Sequence, residues 1–367
     1  MDTNFVEFAA PTAPNTSTVV ERVDLREYKN DILALCQRNG TPEVARRFDW
    51  YYRDQGQERP FSWILRDGKG EICGLCSVTV RDLRHGKTTV KAGVAGNLLV
   101  DRSKRVYLGA FSLVRATKSL VTNKEVDILM GIPNQFSQPI FLRLGYKVID
   151  LWTTHAFIHG SRQLLQSHLG WVGRVASPIV DFCAAAKRVL AANLHPNYGS
   201  LRVVNVPEAE LGNLSLEDWS APQERFVQRV SSEYLRWRFF RDPVNRYEIL
   251  AIVPAAGRPC AYVVVRHNSE RSWIVDCGID SQRVTAAHAI LQACHARSEM
   301  GSTVWVAHLR SLPLSSQLTS HGFVCMPPSL GGYPYFPLVG FWLGEHPLAH
   351  AFAQARAWNI FNGFNDV

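Results

Sequence analysis

Residues 97–116 hold the densest run of candidate chemistry. Asn97, Leu98, Leu99 and Val100 close an apolar stretch, Arg102, Lys104 and Arg105 follow in a basic loop, and a helical pattern starts directly after them. A strand that passes through a cationic loop into a helix offers unpaired backbone N–H groups and the positive end of the helix dipole. That combination suits a pyrophosphate, and an ordinary solvated strand-to-helix turn is the competing reading. A second stretch, 131–146, places Asn134 and Ser137 at the start of the next helix, Phe141 within it and Gly145-Tyr146 at its end. His155, further along in an apolar strand pattern, is a candidate for proton transfer near neutrality; a histidine satisfied in the core or at the surface is the competing reading. Trp50, Tyr51, Tyr52 and Arg53 form another group. Aromatic faces of this kind stack on sugar rings and Arg53 would meet an anionic group, or else Trp50 and a tyrosine anchor a helix on a sheet.

The elements that must position these groups occur twice. Val19–Val23 reads as a strand, Leu25 to about Arg38 as a helix with Leu25, Tyr28, Ile32 and Leu35 on one face, and the residues around Trp50 as a short helix. Three runs at about 62–67, 71–80 and 88–100, separated by turns at Asp67–Gly70 and His85–Lys87, form an antiparallel meander. A helix from about Val106 to Thr122, a strand near 126–132, a helix from Gln135 and a strand from Tyr146 complete the set. The segment beginning at Trp50 recurs in altered form from Trp237, with Cys73 and Cys260 at the same offset behind each tryptophan. The chain therefore reads as a duplication with a period of roughly 180 residues. Its fold class is α/β, an α+β mixed sheet. The expected units are a tail at 1–18, a first domain at 19–159, a helical connector at 160–198, a second domain at 199–345 and a tail at 346–367.

Within the connector, 169–195 is apolar on one side and interrupted by Arg174, Pro178, Asp181, Lys187 and Arg188, so it is no transmembrane span. It reads as one helix packed between domains, with peripheral membrane contact as the alternative. The 367 residues, 46% hydrophobic and 20% charged, can bury two ordinary cores. A net charge of +8 favours anionic partners. Lys and Arg are scattered and match no zinc-finger, RNA-recognition or basic-zipper pattern, which argues against nucleic acid. Most of the eight cysteines lie in apolar segments, as reduced core thiols do. Cys73 and Cys76 form a CxxC whose three-residue offset points the side chains to opposite faces of a strand; with no second pair, no metal site is expected. The first 18 residues lack the basic and apolar regions of a signal peptide, so a cytoplasmic location is expected.

Strand, basic loop, helix, strand, Asn-x-x-Ser helix and Leu-Gly-Tyr ending together resemble the GNAT superfamily of acyl-CoA-dependent N-acyltransferases, over about 19–158 and more weakly over about 200–343. The resemblance implies two tandem GNAT-like domains, each a mostly antiparallel sheet flanked by helices. It implies acetyl-CoA or another acyl-CoA as cosubstrate, without a metal. The pantetheine arm would pair with Leu98, Leu99 and Val100, and the amides of Arg105, Val106, Tyr107, Leu108, Gly109 and Ala110 would hold the pyrophosphate. Arg105 and Ala110 match the ends of the family's loop pattern, while Leu108 stands where its first glycine belongs. Asn134 and Ser137 match the following helix. Phe141 replaces the tyrosine that commonly protonates the departing thiolate. The strand position of the family's glutamate falls near Gly96 and Asn97, which leaves Asn97 to orient a water or the amine and His155, in a strand expected to border the cleft, to move protons. The implied reaction is direct attack of a small-molecule or glycan amine on the thioester, with an amino sugar in polysaccharide or cell-envelope synthesis as the expected acceptor.

In the second copy Asp280 aligns with Asp101 and Arg283 with Arg105, but the loop has no glycine, and Ser311, Leu314 and Leu318 stand for Asn134, Ser137 and Phe141. Cofactor binding is thus expected in the first copy, and a structural or acceptor-positioning role in the second. Two other readings stay open. One is a non-catalytic protein that binds or senses acyl-CoA, favoured by Leu108 and Phe141; the other is a Fem-type aminoacyl transferase, which would need a long helical hairpin that the pattern does not show.

Overall fold

The structure is a computed structural model that describes residues 18–52, 59–104, 107–194, 201–216, 219, 224–255, 257–267, 271–296, 303–330 and 336–361. The first half runs β1 (Val19–Val23), α1 (Lys29–Asn39), α2 (Pro42–Arg46), α3 (Phe48–Tyr52), β2 (Phe61–Arg66), β3 (Ile72–His85), β4 (Thr88–Val100), α4 (Tyr107–Thr117), α5 (Ser119–Thr122), β5 (Ile128–Gly131), α6 (Gln138–Arg143) and β6 (Lys147–Ile158). Two helices follow, α7 (Arg162–Leu169) and α8 (Trp171–Leu194). The second half comprises β7 (Leu201–Asn205), β8 (Phe226–Gln228), α9 (Ser232–Leu235), β9 (Tyr247–Pro254), β10 (Ala261–His267), β11 (Arg271–Ile279), α10 (Ala286–Ala296), β12 (Thr303–Leu309), α11 (Leu314–Ser320) and β13 (Val324–Cys325). It ends with β14 (Pro337–Phe341), α12 (Ala349–Phe352) and β15 (Trp358–Asn359).

These strands join into one mixed α/β sheet in the order β1-β2-β3-β4-β5-β14-β6-β12-β11-β10-β9-β7. The order shows a reciprocal exchange. In the first half, the place between β5 and β6 is taken by β14, which pairs Val339 with Gly131 and Pro337 with Leu151. In the second, the place between β12 and β13 is taken by the far end of β6, which pairs His155 with Val306 on one side and with Cys325 on the other. The boundary read after residue 159 therefore follows a strand that both halves use.

The repeated tryptophans meet where the halves meet. Trp50 and Trp237 stack with ring centroids 4.9 Å apart, and each indole N–H donates to the other's backbone carbonyl, at 2.8 and 3.0 Å. One core lies between the first-half sheet and α4 and α6, built from Leu65, Leu113, Val114 and Phe141 among others. A larger core passes from α1 and α3 of the first half through the whole second half.

Several expectations need correction. Cys73 is the extra residue of a bulge, since Leu65 faces Gly74 while Arg66 faces Ile72. The bulge reverses the alternation, and Cys73 and Cys76 both pack in the helix-covered core instead of on opposite faces. Both thiols are free. The helix expected over Val106–Thr122 is two helices, hinged near Lys118. The connector is also two helices rather than one: Gly170, at φ 59°, ends α7, and the chain returns antiparallel as α8. A Cβ on Gly173 would lie 2.0 Å from the Leu165 carbonyl oxygen, so only glycine allows this close crossing. Among the described residues no helix is long and apolar enough to cross a membrane.

Candidate functional site

β4 and β5 run parallel and pair only over Ala92–Val94 and Ile128–Met130. Beyond Val94, β4 carries a bulge in which Asn97 and Leu98 together oppose Cys76, because Ser77 faces Gly96 while Leu75 faces Leu99. Asn97 adopts φ 50°, a left-handed conformation that asparagine tolerates better than most side chains. A bulge bends its strand and raises the local twist. Here it leaves the β5-facing edge of Leu98–Val100 with no strand partner among the described residues.

The end of β4 is fixed to α1. Asp101 accepts from the Arg38 Nε at 2.9 Å and from the Ser103 amide at 3.0 Å, while Asn39 Oδ1 accepts the Arg102 amide at 3.1 Å. Desolvation alone would raise the Asp101 pKa, but these hydrogen bonds outweigh it and hold the carboxyl at about 2. α4 then starts at Tyr107. Its Leu108 side chain is 65% exposed and turned away from the sheet, and Ala110 is half-buried. Gly109 faces inward, where a Cβ would sit 2.9 Å from Leu65 Cδ2. Its missing side chain serves the approach of α4 to β2. Arg105 and Val106, expected to hold phosphate, lie outside the described residues, as does Arg53.

On the other side of β4 a chain of polar groups is buried. Asn97 Nδ2 donates to the Tyr52 hydroxyl at 3.2 Å, which lies 2.8 Å from Ser77 Oγ, itself 3.2 Å from Ser62 Oγ. Desolvation pushes the Tyr52 phenol above its ordinary pKa, so it stays protonated. Tyr52 also lines a cavity of about 240 Å³ with Asp24, Arg59, Phe61 and Ser62. Tyr51 is buried between Trp50 and Tyr52 and is not among the cavity's lining residues.

Other expected site residues play different parts. Asn134 Oδ1 accepts the amides of Phe136 and Ser137, both at 3.0 Å, and Ser137 Oγ at 3.2 Å, so the pair forms a side-chain-to-backbone turn at the entry to α6. Phe141 is buried edge-on against Tyr146 and packs over Gly131. His155 does not border the first-half cleft. It lies on the part of β6 enclosed by β12 and β13, with its Nδ1 3.0 Å from His308 Nε2 and its Nε2 3.4 Å from Thr319 Oγ1. Desolvation holds His155 at about 4 and His308 at about 3, so both are neutral near pH 7.

The second half repeats the cleft and fills it. β11 and β12 pair in parallel only as far as Ile274 and Val306, and Val275 is an extra residue opposite β10. Past that point His308 pairs with Phe361, which brings the end of the described chain into the gap. Arg283, the counterpart of Arg105, is spent on the carbonyls of Arg258 and Pro259. The position of Asn97 is taken by Asp276, since each lies four residues before the aspartate, Asp101 or Asp280, whose amide closes its strand. Asp276 accepts from the Tyr262 hydroxyl at 3.1 Å and from the Cys277 amide at 2.9 Å, and desolvation raises its pKa to about 6. It borders a cavity of about 390 Å³ shared with Asp82, Arg84, Trp219, Tyr262 and Phe361. The sequence reading missed Asp276, although an acid inside an apolar strand pattern was the available signal.

No protein-family model matches this sequence, and no curated protein matches it. Solved structures do resemble it. A probable N-acyltransferase from Enterococcus faecalis aligns at a TM-score of 0.61 and 11% identity, over 89% of this chain and 72% of that one. The GCN5-related glucosamine N-acetyltransferase region of a fungal β-N-acetylglucosaminidase aligns at 0.52 and 11%, over 90% and 38%. Saccharomyces cerevisiae N-myristoyltransferase, with bound myristoyl-CoA, aligns at 0.54 and 10%, over 98% of this chain and 92% of that one. Likeness at these identities establishes a GNAT-type fold for the chain.

Proposed function

We propose that the protein is an acyl-CoA-dependent N-acyltransferase that takes its cosubstrate in the first-half cleft. The observation that carries this reading is the contrast between the clefts: the gap beside β4 has no strand partner among the described residues, while the gap beside β11 is occupied by Phe361. The fit is physical. The free edge of Leu98–Val100 can pair with an extended amide-bearing arm, and an outward-facing Leu108 leaves the first amides of α4 clear for phosphate. The cosubstrate supplies an activated acyl thioester. The β4 edge amides orient it and can donate to its carbonyl oxygen as charge develops there.

The amine acceptor would enter through the cavity that Tyr52 lines. Because the Tyr52 hydroxyl accepts from Asn97, its own proton is free for Ser77 or for an incoming group. Asp24 is the one carboxylate among that cavity's described lining residues, and its hydrogen bonds to Arg26 keep it ionised, a poor base but a good receptor for an ammonium. An acceptor that is already partly neutral near pH 7 suits such a site. Amino sugars meet that need, because ring oxygens withdraw electron density from the nitrogen. The glucosamine N-acetyltransferase neighbour supports the same class, and a polysaccharide or cell-envelope acceptor stays within this proposal.

One observation favours catalysis in the second half instead: Asp276, poised near neutrality in the larger cavity, is the better base. Thermal unfolding with acetyl-CoA, followed by thiol release on adding glucosamine, tests both. A ligand that binds only the folded state raises Tm. Absence of any shift at about 100-fold excess over a micromolar Kd sinks the acyltransferase reading. A shift without thiol release across an amine panel leaves an acyl-CoA binder, and activity abolished in Asp276→Asn but kept in Asn97→Gly moves catalysis to the second half.

A further inference from the structure

The side of α8 turned away from the protein body is apolar along its length. Trp171, Val175, Ile179 and Phe182 are 77, 68, 69 and 74% exposed, and Val172, Val189 and Leu190 also face solvent. The opposite side is tied down: Ser177 and Ala184 are buried, Asp181 accepts the Ser161 amide at 2.6 Å, and Lys187 and Arg188 donate to the carbonyls of Phe323 and Ile158. Arg174 is the one charged residue among the exposed positions described in α8. A contiguous apolar face of this size is rare on a protein that stays free in water.

Two properties decide what covers it. At about 100° per residue, the seven named positions span about 100° of the helix circumference, and exposed Pro178 and Cys183 at its margins widen the face to about 140°, broader than the seam that one partner helix fills and suited to a broad apolar medium. Charge supplies the second. Residues 162–194 carry Arg162, Arg174, Lys187 and Arg188 against Asp181 alone, a net of +3 (4 − 1) in a chain of net +8. Two such hairpins from two copies would repel, whereas anionic headgroups attract them. We propose that α8 is an interfacial helix, lying with its Trp171-to-Leu190 face in the headgroup boundary of an anionic lipid surface and crossing nothing. The inference is independent of the acyltransferase reading, because it concerns where the protein works.

Co-sedimentation of the full chain with vesicles tests it. Vesicles of phosphatidylcholine mixed with phosphatidylglycerol should carry the protein down, pure phosphatidylcholine should carry less, and added salt should narrow the difference. Ile179→Asp and Phe182→Asp, both at exposed positions, should each cut the bound fraction about tenfold while leaving thermal unfolding unchanged. A polarity-sensitive fluorophore on exposed Cys183, in a Cys325→Ser background that removes the other exposed thiol, should shift to the blue on the same vesicles. No sedimentation with the mixed vesicles, or full binding by Phe182→Asp, overturns the proposal. So does cross-linking of Cys183 to Cys183 together with a dimer mass in lipid-free solution, which would assign the face to a second copy.

Discussion

Beside β4 the gap opened by a bulge meets no other described strand, whereas beside β11 the corresponding gap takes in Phe361, paired with His308. The strands differ at one matched position as well. Asn97 hydrogen-bonds a protonated tyrosine in the first half, and Asp276 accepts from Tyr262 in the second. Two copies of one plan have thus divided its parts: the first keeps the open edge that an extended ligand needs, and the second keeps a carboxylate that can change charge near neutral pH.

The contact that joins the copies offers the largest effect. Trp50→Ala and Trp237→Ala should each cost about 3–5 kcal/mol by denaturant unfolding, since each removes a buried indole, a ring stack and a hydrogen bond. The double variant should cost clearly less than the sum, because both remove the same contact. Strict additivity would mean that the halves are not coupled there.

A middle-sized effect separates the carboxylates. Asp276 has a folded pKa of about 6, above its unfolded value, so the folded state holds the proton longer and stability falls as pH rises from about 4 to about 6. Asp276→Asn should be more stable than the parent at pH 7 by about 3 kcal/mol, and the gain should close below about pH 4. Asp101 behaves oppositely. Its folded pKa of about 2 gives stability that is present above about pH 4 and lost as pH falls toward 2, so Asp101→Asn should be less stable at pH 7 and equal to the parent near pH 2. Parallel pH curves for the two variants would erase the distinction.

The smallest effect concerns binding. Leu108→Glu places a carboxylate at the start of α4, where a phosphate would dock, and should weaken acetyl-CoA about tenfold in a calorimetric titration without loss of Tm. Thr285→Asp keeps a capping oxygen for the His288 amide at the start of α10 and should leave the affinity unchanged. Equal losses from both variants would mean that the second half also takes cosubstrate.

Local signals carried most of the elements. β4 is bounded as expected at Thr88 and Val100, because a turn at Gly86-Lys87 and the closing Asp101 mark its ends. Pairing partners were not legible, since nothing in the alternation of Lys147–Ile158 tells that its first part serves one half and its last part the other. The same blindness misplaced His155: periodicity gives the face of a strand, not its neighbours. Asn134 and Ser137 show another limit. A polar pair at a helix start suits a ligand and a turn equally well, and only the hydrogen bonds distinguish them.

The exchange of β6 and β14 also bears on how the chain is made. A first half emerging from a ribosome cannot close its sheet until residues 337–341 have followed, some 180 positions after β6. Nascent protein must therefore wait with β5 and β6 unjoined, an edge that a chaperone would shield. Contacts so distant in sequence make for slow, late and concerted folding, in which neither copy becomes native before its twin.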